Sequence, residues 1–128
     1  MAFGTYAKGA RTERELISMF SKRGFSVIRA AGSGINSLSP DLLVFKKGLQ
    51  YAFECKAWGS GSLCIEKGKF RGLEEWERNT GITTMIAWRI NRVGWRFMHL
   101  AELSEREKNC TVTLKNALAI NRTFEDLL

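Results

Sequence analysis

SPDLLVFKKGLQYAFECK, residues 39–56, decides how the rest of the chain is read. Residues 41–45 and 49–56 are strand-like, and Lys46-Lys47-Gly48 between them is a turn, so the two runs form a hairpin. In the first run Leu42 and Val44 face one way, Leu43 and Phe45 the other. Both faces are apolar, which predicts a central strand covered on both sides. In the second run alternation puts Ala52, Glu54 and Lys56 on one face and Tyr51, Phe53 and Cys55 on the other. Asp41 begins the neighbouring strand. Two carboxylates and an ammonium group therefore gather on a hairpin that is otherwise largely apolar.

That grouping suits phosphodiester chemistry. Asp41 and Glu54 can share one hard divalent cation, with Mg²⁺ preferred for its affinity for carboxylate oxygen and Mn²⁺ as a possible substitute. Such an ion polarises a phosphodiester and lowers the pKa of a bound water. Lys56 beside it can orient that water or stabilise charge in the transition state. An isolated acid-x-lysine triplet is more often a surface pair, and an aspartate after proline is often only a turn residue. Pro40-Asp41, a hairpin-length gap and then Glu54-x-Lys56 in an apolar strand is a more specific pattern.

Upstream, residues 11–23 read as a helix, with Leu16, Ile17 and Phe20 as its apolar stripe, Thr12 and Glu15 as a capping box and Gly24 as its stop. Glu13 precedes those apolar residues by helical offsets and falls on the same stripe. There it either faces the metal site or merely favours the helix dipole; the carboxylates downstream favour the first, making Glu13 a third ligand with Asp41 and Glu54. Residues 1–9 read as a flexible arm, 25–29 as a short strand and 30–40 as a Gly/Ser/Asn-rich loop.

Downstream, residues 59–62 read as a second loop. Residues 66–80 form a helix turning Phe70, Leu73 and Trp76 inward and ending at Gly81. Residues 83–90 and 95–100 form a second hairpin across 91–94. The tail holds a short strand at 111–114 and a last helical turn near Thr123, where Asp126 has cap-like spacing. The order is helix, three strands, helix, two strands, tail: one α/β domain, residues 1–128, with a central mixed sheet flanked by helices.

The formal net charge is +7, and its clustering suits a phosphate backbone. Lys8, Arg11 and Arg14 crowd the amino-terminal region, and Lys67, Lys69 and Arg71 the start of the second helix. The three cysteines, Cys55, Cys64 and Cys110, match neither a zinc nor a CxxC pattern, so reduced thiols in a cytoplasm are expected. No run approaches a membrane span.

With Glu13, Pro40-Asp41 and Glu54-x-Lys56 in order, the chain resembles the archaeal Holliday junction resolvases from about Lys8 to Leu100. KGARTERELISMFSKRGFSVIRAAGSG (8–34) is similar to the family's opening helix, strand and serine-bearing loop. Residues 39–56 match its metal hairpin, SLCIEKGKFRGLEEW (62–76) the run into its second helix, and VGWRFMHL (93–100) its last core strand. The resemblance implies a restriction-endonuclease-like fold and a Mg²⁺-dependent homodimer that nicks four-way DNA junctions. Glu13, Asp41, Glu54 and Lys56 fall on the family's catalytic positions, Ser33 on the loop serine and Arg29 on a basic position near DNA. Two departures stand out. Related nucleases often carry a glutamine in the second helix, where this chain has Lys69 and Arg71. Cys64 replaces an aromatic.

A restriction, repair or nicking enzyme of the same fold is the nearest alternative. A non-catalytic DNA-binding module would not need the complete acid–lysine set, and no RNP-like aromatic motif suggests an RNA binder. Ser33 fits a phosphate contact better than a nucleophile, because no histidine–acid partner accompanies it and His99 is the sole histidine. Trp58 is weighed between packing and base stacking, and Trp76, Trp88 and Trp95 between core and subunit interface. The two-fold symmetry of a four-way junction calls for two active sites and hence a homodimer. Ile86, Trp88, Trp95, Phe97 and Met98 on the second hairpin supply apolar surface from which its interface is expected.

Overall fold

A computed structural model describes residues 2–30, 39–58 and 61–128. Helix α1 (Ala2–Ser21) is followed by strands β1 (Ser26–Arg29), β2 (Leu42–Lys46), β3 (Leu49–Trp58) and β4 (Ser62–Glu66). Helix α2 (Lys67–Thr80), strands β5 (Thr83–Ile90) and β6 (Gly94–His99), the short pair β7 (Ser104–Glu105) and β8 (Asn109–Thr113), and helix α3 (Leu114–Ile120) complete the chain.

The central sheet runs β1-β2-β3-β5-β6. Its first three strands are antiparallel neighbours, β3 and β5 are parallel, and β5 and β6 are antiparallel again, so the sheet is mixed as expected. The parallel step needs a crossover, and β4 with α2 supplies it. The β2–β3 hairpin closes with Lys46 paired to Leu49. Lys47 and Gly48 between them both have positive φ, 49° and 91°, as a tight turn matching the strand twist requires. Gly48 has open space around it, so conformation and not crowding selects glycine there.

Each face of the sheet carries its own core. On one, α1 lays Leu16 and Phe20 over Leu42, Val44, Phe53, Met85, Ala87, Trp95 and Phe97. On the other, α2 lays Phe70 and Leu73 over Ile86, Trp88, Ile90 and Met98, joined by Leu63, Ile65, Cys110 and Val112. The last of these come from a small second sheet, β4-β8-β7, in which Leu63 and Ile65 turn inward and Cys64 and Glu66 outward. The C-terminal residues close the α1 face: Phe124 meets Phe20 edge-on at 4.9 Å, and Leu127 is buried beside them.

Several expectations change. The helix hydrogen-bonding begins at Ala2, so the backbone of residues 2–9 is helical and not an arm outside the helix. Thr12 is consequently interior to α1. Glu15, expected in a capping box with it, instead accepts hydrogen bonds from Arg89 Nε (2.8 Å) and Trp95 Nε1 (2.7 Å). Ser62 lies in β4 and not in a loop. Trp76 is half-buried, on a cleft of about 200 Å³ shared with Ser39, Gly72, Glu75 and Asn79.

The largest correction concerns the second hairpin. Ile86, Trp88, Phe97 and Met98 are completely buried and Trp95 nearly so. A sheet covered on both faces consumes both sides of its central strands, so these residues are core and offer no surface to a second subunit. The tail expectations fare better. A strand occupies Asn109–Thr113, and the Thr123 amide donates to Asp126 Oδ2 at 2.8 Å before the final 3₁₀ turn.

Candidate active site

Pairing fixes the site before any side chain is considered. Leu42 lies opposite Phe53, so Asp41 enters the sheet beside Glu54. Asp41 is held by its backbone on both sides: its amide donates to Phe53 O, and its carbonyl accepts from Ala30 N, both at 2.8 Å. Its carboxylate Oδ2 accepts from the Cys55 amide at 2.9 Å. A carboxylate on a backbone held this way keeps its place without a long side chain to order.

Glu54 projects from the opposite side of β3 to Phe53, toward α2, and is only 4% exposed. Two ammonium groups flank it: Lys56 Nζ lies 3.6 Å from Oε2 and Lys69 Nζ 3.5 Å from Oε1. Lys69 also donates to Ser39 O at 2.9 Å. Among the described residues, no donor makes a hydrogen bond to the buried Oε1. Burial and, second, the charge of Asp41 push the Glu54 carboxyl up to about 7, against the pull of Lys69 and Lys56. The Cys55 thiol is likewise pushed well up, by burial and then by Asp41, Glu13 and Glu54. Those causes place all three acids within electrostatic reach of one residue of β3.

Glu13 nevertheless has a cation of its own. Its Oε1 accepts from Arg29 Nε at 2.8 Å, joining α1 to the end of β1. Among the described residues no three acid, cysteine or histidine side chains are gathered closely enough to hold a metal ion. The three-carboxylate ligand set expected from Glu13, Asp41 and Glu54 is therefore not assembled as one cluster; what the structure assembles is the Asp41–Glu54 pair. Arg29 was expected beside DNA, and its pairing with Glu13 could not be read locally, because strand and helix meet only in the fold.

The expected DNA-contacting cations divide. Arg11 and Arg14 are exposed on α1. Lys67 and Arg71 turn to the second sheet, where Lys67 Nζ lies 3.4 Å from Glu105 and Arg71 bonds both Glu74 and Glu105. Lys69, between them in sequence, turns the other way, into the site. Sequence reading grouped the three as one basic cluster; helical periodicity, which sets alternate residues on different sides, was the signal that separates them. Ser33 and the side chains of Lys8 and Trp58 lie outside the described residues.

A mixed five-stranded sheet with a helix on each face, carrying an aspartate at the start of β2 and Glu-x-Lys on β3, defines a nuclease of the restriction-endonuclease-like class. Comparison with solved structures agrees. The chain superposes on Hjc of Archaeoglobus fulgidus, a Holliday junction resolvase, with a TM-score of 0.80 at 28% identity, covering 87% of this chain and 93% of that one. It shares the fold alone with the bacterial homing endonuclease I-Ssp6803I (TM-score 0.54, 14% identity, 85% and 75% covered).

Residues 4–128 match the model of the archaeal Holliday junction resolvase (Hjc) family, and the chain belongs to that family. Among curated relatives, the crossover junction endodeoxyribonuclease Hjc of Archaeoglobus fulgidus is 32% identical over 104 residues, 80% of this chain and 76% of that protein. The enzyme of that name from Sulfolobus acidocaldarius is 28% identical over 124 residues, 94% and 86%. The match runs through the tail, so the likeness does not stop at Leu100.

Proposed function

We propose that Asp41 and Glu54 bind one divalent cation, Mg²⁺ or Mn²⁺ in its place, and that with Lys56 they cut the strands of a four-way DNA junction. The chain is a crossover junction endonuclease by family; the proposal assigns the work to its residues. The observation that carries it is Glu54 Oε1: a buried carboxylate oxygen without a hydrogen bond, next to a second carboxylate. Leaving a buried acceptor without a well-made hydrogen bond is costly, Lys69 at 3.5 Å is its ionic neighbour, and an acid pair in low dielectric gains most from a doubly charged ion. An all-oxygen donor pair suits Mg²⁺, which keeps several waters.

A cation bound there would supply Lewis acidity and a water of lowered pKa. Asp41 acts as the fixed ligand, since backbone bonds on both sides hold it. Glu54 acts as the ligand whose ionisation the ion secures. Lys56, with a partly exposed ammonium group beside Glu54, reaches toward the cleavage site and supports the charge that develops on the phosphate. Glu13 acts from outside this pair, its charge reaching the same strand while Arg29 holds it in place. Ser33, outside the described residues, takes the role of a contact to a junction phosphate.

The enzyme works as a homodimer in the cytoplasm, making paired nicks that leave 5′-phosphate ends. Because the second hairpin is core, the dimer forms through another surface. Among the described residues no helix is long and apolar enough to cross a membrane. The test is cleavage of a labelled four-way junction beside linear duplex, with and without Mg²⁺, together with sedimentation. Metal-dependent cutting of the junction by a dimer is expected. A monomer that nicks duplex equally well would instead favour a general nuclease of this fold.

A further inference from the structure

The departure at Lys69 is where the site differs from what the resemblance implies. Three cations alternate along the first turns of α2, and only the middle one leaves the protein surface. Lys67 and Arg71 reach Glu105, while the Lys69 side chain is 20% exposed, lies 3.5 Å from Glu54 Oε1 and donates to Ser39 O. A lysine loses much rotamer freedom when it is held in this way, so its place against the acid pair has to be offset by what it touches. It touches both halves of the site: Glu54 through its carboxylate, and the strand entering Asp41 through the carbonyl two residues earlier.

We propose that Lys69 is a tethered counter-ion, which occupies Glu54 when no metal is bound and competes with the divalent cation for it. Two charges of one sign cannot both gain fully from one carboxylate, so the ammonium group lowers the affinity of the site for metal while stabilising the metal-free protein. In this chain the second helix thus sets how much free cation the enzyme needs. The inference rests on the proposed metal site.

The test is calorimetric titration of Mn²⁺ into the whole protein without DNA, with thermal melts of the metal-free forms. Lys69→Gln keeps a donor for the Ser39 carbonyl and removes the charge. It should bind Mn²⁺ about three- to tenfold more tightly, the scale expected for a like charge a few ångströms away, and melt at a lower temperature when metal-free. Lys69→Arg keeps the charge and should bind as the unaltered protein does. Arg78→Gln, the same charge change in the last turn of the same helix, should leave Mn²⁺ affinity unchanged. Unchanged or weaker binding by Lys69→Gln overturns the proposal. So does tighter binding by Lys69→Arg, or an equal gain with Arg78→Gln, which would make the effect one of net charge. Asp41→Asn separates this failure from the other: if it binds Mn²⁺ normally, the metal site itself is wrong and the counter-ion falls with it. If it loses Mn²⁺ and Lys69→Gln gains nothing, only the counter-ion is wrong.

Discussion

Glu54 and Glu105 each sit between two cations drawn partly from the same helix, and they are opposites. Glu105 is exposed, its side chain 55% accessible, and Arg71 by hydrogen bonding, then Arg71 and Lys67 by charge, hold its carboxyl below the usual range. Glu54 has Lys56 and Lys69 at comparable distances, yet its carboxyl is raised to about 7. Counting charges does not distinguish the two. Burial, a second carboxylate and an oxygen with no hydrogen bond do. Glu105 is already satisfied by its partners and by water. Glu54 still has something to gain from a ligand, which is why the proposed metal site is placed there and not at Glu105.

The sharpest way to break this contrast is Asp41→Asn. It should reduce junction cleavage below detection while the protein still binds the junction in a gel-shift assay, because one of the two proposed metal ligands is gone and the fold is not. Equal loss of binding and cutting would mean that Asp41 serves the structure. Lys56→Ala should follow, slowing single-turnover cleavage by about 10²–10⁴-fold if its ammonium group supports the transition state.

A third expectation concerns pH. Glu54 is raised from an ordinary 4.5 to about 7, so between those values the folded protein holds a proton that the unfolded chain has lost. The metal-free protein is therefore favoured at low pH, and this contribution is lost as pH rises through about 7. Its full size is about 3–4 kcal/mol at most, each pKa unit being worth about 1.4 kcal/mol. Melts in chelator should show stability falling between pH 5 and pH 8, and Glu54→Gln should flatten that fall. A Glu54→Gln protein with the same slope would place the titration elsewhere. The smallest effect is expected at the other acid: Glu105→Ala should leave the melting temperature unchanged within error, since exposed ion pairs contribute little. A clear drop would show that the second sheet depends on them.

The hairpin was legible because everything that specifies it is local: alternation, a glycine turn and charged residues at defined positions. The same stretch carries Asp41, Glu54 and Lys56, which the pairing of β2 with β3 sets near one another. Of the small sheet only the tail strand was legible, although Leu63 and Ile65 also alternate with polar neighbours. The partner of β4 lies far along the chain, with Ser62 against Thr113, and a short strand with no local partner gives no hairpin signal to read. The second hairpin misled for the converse reason. Sequence shows that Trp88 and Phe97 are large and apolar, but not that helices α1 and α2 claim opposite faces of their strands. Glu13 is partly buried on α1, and the partner the fold gives it is Arg29, which lies too far along the chain to be read beside it. Lys69 was counted with a surface cluster whose other members do lie at the surface.

The closing of the α1 face by Phe124 and Leu127 has a consequence for synthesis. Phe20 is made more than a hundred residues before its edge-on neighbour, Phe124. The hairpin that carries Asp41 and Glu54 can pair early, since its contacts are short in sequence. The apolar stripe of the first helix waits, partly uncovered, until Phe124 and Leu127 have emerged. During that interval the nascent chain exposes the surface most open to chaperones and to mispairing with other chains. Phe124→Ala together with Leu127→Ala should therefore cost yield of soluble protein without touching Asp41, Glu54 or Lys56.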